Sequence, residues 1–149
     1  MEPKELKKLI ESDEIALGFL NNCDDVLCAS RCTEIAPKIP KKLLLSRIGI
    51  LELYEANPSD GITVLKTIDA VSKNNPLVAE IASFMSPDTS PDSRPDFSIK
   101  IIRSSLTAPV EFGGLGLTVE QARPILLAGE QHQVITPIEV EYIRTRLWQ

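Results

Sequence analysis

The chain has 149 residues, 43% apolar, 25% charged and only 5% aromatic, with a net charge of −5. That length suits one domain, able to bury about 68–70% of its unfolded surface without staples. The acidic balance argues against general nucleic-acid binding, which needs clustered Lys and Arg, and the absence of any apolar run of about 18 residues excludes a membrane-spanning helix.

The N-terminal stretch MEPKELKKLIESDE carries charge where a signal peptide needs apolar residues, so export by a signal peptide is not expected. Residues 3–21 read as helix, with Pro3 in the first turn and Leu6, Leu9, Ile10, Leu17 and Leu20 as apolar contacts. Ser12 and Asp13 interrupt the pattern, leaving open one helix or two. Asp24 or Asp25 can cap a short helix to about Ile35, which puts Cys28 and Cys32, four apart, on one face. PKIP, Pro37 to Pro40, cannot continue a helix and reads as an extended connector.

The most apolar stretch follows, KKLLLSRIGILELYEAN over residues 41–57. Leu43, Leu44, Ile48, Leu51 and Tyr54 share one arc of a helical wheel, and Leu45, Ile50 and Leu53 cover the other sides. A helix that is apolar nearly all round has neighbours nearly all round, so this segment is expected as the central helix, with Gly49 letting one neighbour approach. Ser59 reads as the next N-cap, and Val64, Leu65, Ile68 and Val71 as the buried face of the helix it starts. Asn74-Asn75-Pro76 breaks that helix. Leu77, Val78, Ile81, Phe84 and Met85 mark another. PDTSPDSRP, residues 87–95, is a polar loop that buries little.

Residues 98–108 read as a helix with Ile99, Ile102 and Leu106 on one side and Ile101 off that stripe. A loop spans residues 109–116. Thr118 with Gln121 forms a capping-box pattern, and Pro124 predicts a kink or restart. Thr136-Pro137-Ile138-Glu139 is the strongest helix start in the chain, and Val140, Ile143 and Leu147 give the last helix its buried face. No alternating strand of any length appears. The expected fold class is all-α: one compact bundle of about seven or eight short helices around the segment near 41–57.

No catalytic set emerges. Three cysteines and one distant histidine fall short of the four ligands of structural zinc; buried compact thiols are the simpler reading, and free thiols fit a chain without an export signal. His132, between Gln131 and Gln133, reads as a solvated loop residue. Gly113-Gly114-Leu115-Gly116 follows a helix and lacks the Lys-Ser/Thr of a phosphate loop. Asp88, Asp92 and Asp96 lack the alternation of a calcium loop. No catalytic, cofactor or metal residue is therefore assigned. Structural or contact roles fall to Arg31, Thr33 and Glu34, expected to brace the Pro37–Pro40 connector, and to Lys38, Lys41 and Lys42, a basic cluster able to meet an acidic partner surface.

The segment from Asp24 to Pro37, DDVLCASRCTEIAP, resembles one in small helical proteins of tailed bacteriophages. The upstream LKKLIESDEIALGFL is similar to their opening helix. The chain departs from them in the Pro-Asp loop and in PVEFGGLGL. The resemblance implies a phage-encoded protein and supplies no catalytic residues. The functional expectation is a non-enzymatic protein acting by contact, foremost a tail or head accessory component of the virion. Two alternatives stand beside it. One is an inhibitor that binds a host protein, its acidity suiting a basic target. The other is a small hydrolase using carboxylates such as Asp25 and Glu34. The implied partners are other protein chains, of the particle or of the host, with a homo-oligomer possible. The implied location is the virion or the cytoplasm of the infected cell.

Overall fold

Short polar side chains and prolines decide where the helices begin. The computed structural model describes residues 1–148, in which nine α-helices and one two-stranded sheet make an all-α fold. Helices α1 (Pro3–Ser12) and α2 (Glu14–Asn21) divide at Asp13, whose carboxylate accepts from the Ala16 N–H at 3.0 Å and caps α2. Asp24 caps α3 (Asp25–Ile35) in the same way, through the Leu27 N–H at 3.1 Å. The PKIP connector is extended and ends in strand β1 (Ile39–Pro40).

The stretch at 41–57 departs from expectation. Only Arg47–Leu53 is helical, as α4, capped by Ser46. Residues 43–45 run extended instead, because their backbone pairs with the end of the Pro-Asp loop. Leu43 N–H donates to the Asp96 carboxylate, Phe97 N–H to the Leu43 carbonyl and Leu45 N–H to the Pro95 carbonyl. Extended backbone turns alternate side chains to opposite faces. Leu45, Ile50 and Tyr54 are buried, while Ile48 and Leu51 remain exposed. Gly49 admits no neighbouring element: a Cβ there would meet only Leu45 and Ser46 of its own segment, at 3.4 Å.

Helix α5 (Pro58–Ser72) starts one residue before the expected Ser59 cap, with Asn57 as N-cap and Pro58 in the first turn. It is followed by α6 (Pro76–Ser83), the loop with a 3-10 turn at Pro91–Ser93, α7 (Lys100–Thr107) and a 3-10 turn at Val110–Phe112. Helix α8 (Val119–Ala128) carries the expected Thr118/Gln121 capping box and runs through Pro124 without restarting. Strand β2 (Glu130–Gln131) pairs with β1. Helix α9 (Pro137–Tyr142), with its Thr136/Glu139 capping box, ends in a π turn over Ile143–Leu147.

Contacts within the chain group it into two compact units, where the sequence reading has one domain. The first holds Met1–Ile39 and the C-terminal stretch from Gln131; its core is Leu6, Ile10, Ala16, Leu20, Cys28, Ala29, Cys32, Ile135, Val140 and Ile143. Here α3 packs against both α2 and α9. The second holds Pro40–Glu130, with a core built on Ile50, Tyr54, Val64, Ile68, Met85, Leu106, Ala122 and Ile125. Tyr54 is fully buried and its hydroxyl donates to the Gln121 carbonyl. Burial, with Asp60 adding to it, pushes that phenol up to about 12. The close approach expected at Gly49 occurs at Gly61, where a Cβ would stand 2.8 Å from the Tyr54 Cβ.

Two glycines separate helix propensity from packing. Gly18 in α2 has open space around it, so Gly18→Ala is expected to stabilise by about 0.5–1 kcal/mol. Gly61→Ala gains the same propensity, but overpacking against the root of Tyr54 costs about 1–3 kcal/mol. Net destabilisation of about 1 kcal/mol is expected, read by urea denaturation of the two variants side by side.

Candidate functional site

The residues singled out in α3 form a clamp within the first unit. Arg31 grips Asp13 with two bonds, Nε to Oδ2 at 2.9 Å and Nη2 to Oδ1 at 3.1 Å, and reaches Glu34 at 3.5 Å. At the other end of α3, Arg144 grips Asp25 at 3.0 and 2.9 Å. Two-point Arg–carboxylate contacts fix orientation as well as charge. Thr33 Oγ1 donates to the Ala29 carbonyl at 2.9 Å and accepts from the Ile135 N–H at 2.9 Å. Arg31 and Thr33 therefore do not brace Pro37–Pro40 as expected. They bind α3 to the start of α2 and to the segment before α9, because those backbones lie alongside it. The Pro37 carbonyl is held by Gln133 Nε2 instead, at 2.8 Å. Lys38, Lys41 and Lys42 are all solvent-exposed.

Asp25 and Glu34 do not make a hydrolytic pair. Nine residues apart on one helix, they are separated by about 13 Å along its axis, against about 5–9.5 Å for paired glycosidase acids, and Asp25 is already bound to Arg144. Cys28 and Cys32 are buried, and Cys28 Sγ lies 3.4 Å from the Ala16 carbonyl as a donor. Burial raises both thiols, that of Cys32 to about 12. Cys23 is exposed, at a turn where its φ of 56° is the only positive one at a non-glycine among the described residues. His132 is exposed, as expected of a loop residue.

The glycine loop cannot cradle a phosphate, since its amides are committed. Gly113 N–H donates to the Val110 carbonyl, Gly114 to Pro109, Leu115 to Ser105 and Gly116 to Ala108. Asp96 is a backbone anchor. Its Oδ1 accepts from the Leu43 N–H, the Ser98 N–H and the Ser98 hydroxyl at 3.0, 3.0 and 2.7 Å. Burial works to raise its pKa, but these bonds hold it below the ordinary value. Among the described residues, no group of three or more His, Cys, Asp or Glu is arranged to hold a metal, and no helix is long and apolar enough to cross a membrane.

The feature that sequence reasoning missed is apolar. Between α6, α7 and the Val110–Phe112 turn lies a groove of about 540 Å³, lined by Leu77, Val78, Ile81, Ile99, Ile101, Ile102, Ala108 and Phe112 with a few small polar residues. Among the described residues, no charged one lines it. Ile101 is 69% exposed and Phe112 81%. Asn75 fixes its end: Oδ1 accepts from the Leu77 and Val78 N–H groups, and Nδ2 donates to the Gly113 carbonyl. The signal in the sequence was Ile101, apolar yet off the Ile99/Ile102/Leu106 stripe. In the first unit, Met1, Pro3, Ile138 and Tyr142 border a smaller cleft of about 320 Å³.

No family model, no curated protein and no solved structure matches the chain.

The clamp has a pH signature. Both carboxyls sit below their ordinary range, Asp13 through hydrogen bonds from Arg31 and the Ala16 N–H, Asp25 through its hydrogen bond from Arg144, which outweighs burial. A carboxyl depressed in the folded state contributes fully above its unfolded pKa, about 3.9. The contribution is lost as pH falls through the folded value. Arg144→Met is therefore expected to lower stability at pH 7 and to flatten its decline below about pH 4, followed by circular dichroism. Identical acid-unfolding curves would remove the clamp's role. For the thiols, alkylation of the native protein at pH 7.5 is expected to modify Cys23 alone, with Cys28 and Cys32 reacting only after denaturation, counted by intact mass.

Proposed function

We propose that this chain is a non-enzymatic phage protein that works by docking onto another protein, as a tail or head accessory component of the virion, and that the α6–α7 groove is its docking face. The occupant is the apolar face of a helix from another particle protein. The single observation that carries the reading is the groove itself, which leaves Leu77, Ile99, Ile101 and Phe112 in water on one surface without a charge among its lining residues. Contiguous exposed apolar surface marks interaction sites, and the centres of protein interfaces are depleted in charge. Helix α7, eight residues and so about 12 Å long, offers a wall two turns long, the scale on which a helix seats its i, i+3 and i+4 side chains. The phage setting rests on the resemblance of residues 24–37.

Mass spectrometry of purified, denatured particles tests the setting: peptides of this chain are expected at fixed stoichiometry, and their absence defeats a virion role. Ile101→Asp and Phe112→Ser test the face. Both residues are largely exposed, so melting is expected to change by no more than about 0.5 kcal/mol while incorporation into particles falls. Normal incorporation of both variants would remove the groove from the reading. Absence from particles, with groove-dependent binding of one purified host protein, would establish the inhibitor reading instead.

A further inference from the structure

Among the described residues, one buried side-chain nitrogen or oxygen has no hydrogen-bond partner: Nε of Arg94. Four other arginines, Arg31, Arg47, Arg103 and Arg144, each hold a carboxylate. Arg94 holds none. It lines a cleft of about 520 Å³ in the second unit together with Leu44, Ser46, Ile48, Leu53 and Pro87. The backbone that carries it is tied down, since the adjacent Pro95 carbonyl accepts from the Leu45 N–H and the Asp96 carboxylate from the Leu43 N–H. Ser46, at the same cleft, is only 7% exposed. Its Oγ accepts from the Gly49 N–H at 3.0 Å, and its own hydroxyl hydrogen has no acceptor. Arg94, whose Nη groups also make no hydrogen bond among the described residues, and the Ser46 hydroxyl thus stand at a cavity whose remaining wall is largely leucine, isoleucine and proline, with Glu52 on one side.

We propose that this cleft binds a small monocarboxylate with an apolar body. The carboxylate is taken by the Arg94 guanidinium and the Ser46 hydroxyl, and the body lies on Leu44, Ile48 and Leu53. An oxyanion supplies acceptors for the unbonded Nη groups of Arg94 and for the Ser46 hydroxyl, while Nε, closed off from solvent, is not reached from the cleft. A monoanion fits better than a phosphate dianion, because the cleft offers one positive charge and Glu52, exposed on the same cleft and making no ion pair with Arg94, opposes a second negative one. The volume falls within the usual range of small-molecule sites, about 300–1,000 Å³. The site is separate from the α6–α7 groove and does not depend on it.

The test is an NMR shift titration of the full chain with octanoate, and with octanamide as the neutral isostere. Octanoate is expected to give saturable shifts at Leu44, Ile48 and Leu53, and octanamide to bind about tenfold more weakly, as loss of a charge-assisted bond requires. Arg94→Gln is expected to remove that preference in a chain that still melts cooperatively and no less stably than the parent, since a buried donor without an acceptor is removed, and Glu52→Gln to tighten octanoate binding. Equal affinity for acid and amide, a response that does not saturate, or an undiminished preference in Arg94→Gln would each overturn the proposal. Should Arg94→Gln fail to fold, Glu52→Gln decides: tighter binding of octanoate supports the site, and unchanged or weaker binding overturns it.

Discussion

Isolated helices shorter than about 12–15 residues are marginal in water. Among the described residues, eight of the nine helices have six to eleven residues, and only α5 reaches fifteen. Each short helix therefore exists through what it packs on and what ends it. The ends are well supplied. Asp13, Asp24, Ser46, Asn75, Thr118 and Thr136 each accept from a backbone N–H at the start of the helix they precede. A cap of this kind contributes typically about 1 kcal/mol, a large fraction of what a helix of two turns can supply on its own.

The two units meet this constraint by different means. In the first, α3 is tied by two-point ion pairs at both ends, to Asp13 and to Arg144, around a small core that includes two buried thiols. Its polar groups do double duty: Asp13 caps α2 and holds Arg31, and Thr33 closes its own helix turn while fixing the Ile135 backbone. In the second, the core is larger and centres on Tyr54, with Val64 and Ile68 of α5 and Ile125 of α8. The Pro-Asp loop is held there by a backbone ladder onto residues 43–45 and by Asp96. That ladder also explains why the most apolar stretch of the chain is only half helical.

Helix starts were legible because their chemistry is local. Thr118 with Gln121 and Thr136 with Glu139 announce capping boxes within four residues, and both are present. The stretch at 41–57 was misread because its competitor lies some fifty residues away: the Leu43 N–H bonds the Asp96 carboxylate rather than a helical carbonyl, and periodicity contains no term for that. Arg31 failed in the same way. Its residue type predicted a polar brace, but the partner, Asp13, stands 18 positions earlier. The apolar groove was hidden by a different ambiguity. Ile99 and Ile102 sit at the spacing of a buried stripe, yet Ile99 is exposed and Ile102 half-buried. Sequence reveals that a helix face is apolar, but not whether the chain supplies something to cover it.

That last distinction carries the functional argument. The candidates that sequence singled out in α3 already have partners within their own unit, so their chemistry is structural. The second unit contains groups that folding leaves unsatisfied. Leaving an apolar side chain in water forgoes about 1.5–3 kcal/mol that burial would provide. The whole net stability of a domain this size is only about 5–15 kcal/mol. Leu77, Ile99, Ile101 and Phe112, clustered on one surface, together forgo an amount comparable to that margin. A buried guanidinium nitrogen without an acceptor adds a cost of its own kind. Neither feature helps the isolated chain fold. The proposed helix would cover the first, and the proposed oxyanion would engage the same arginine beside α4.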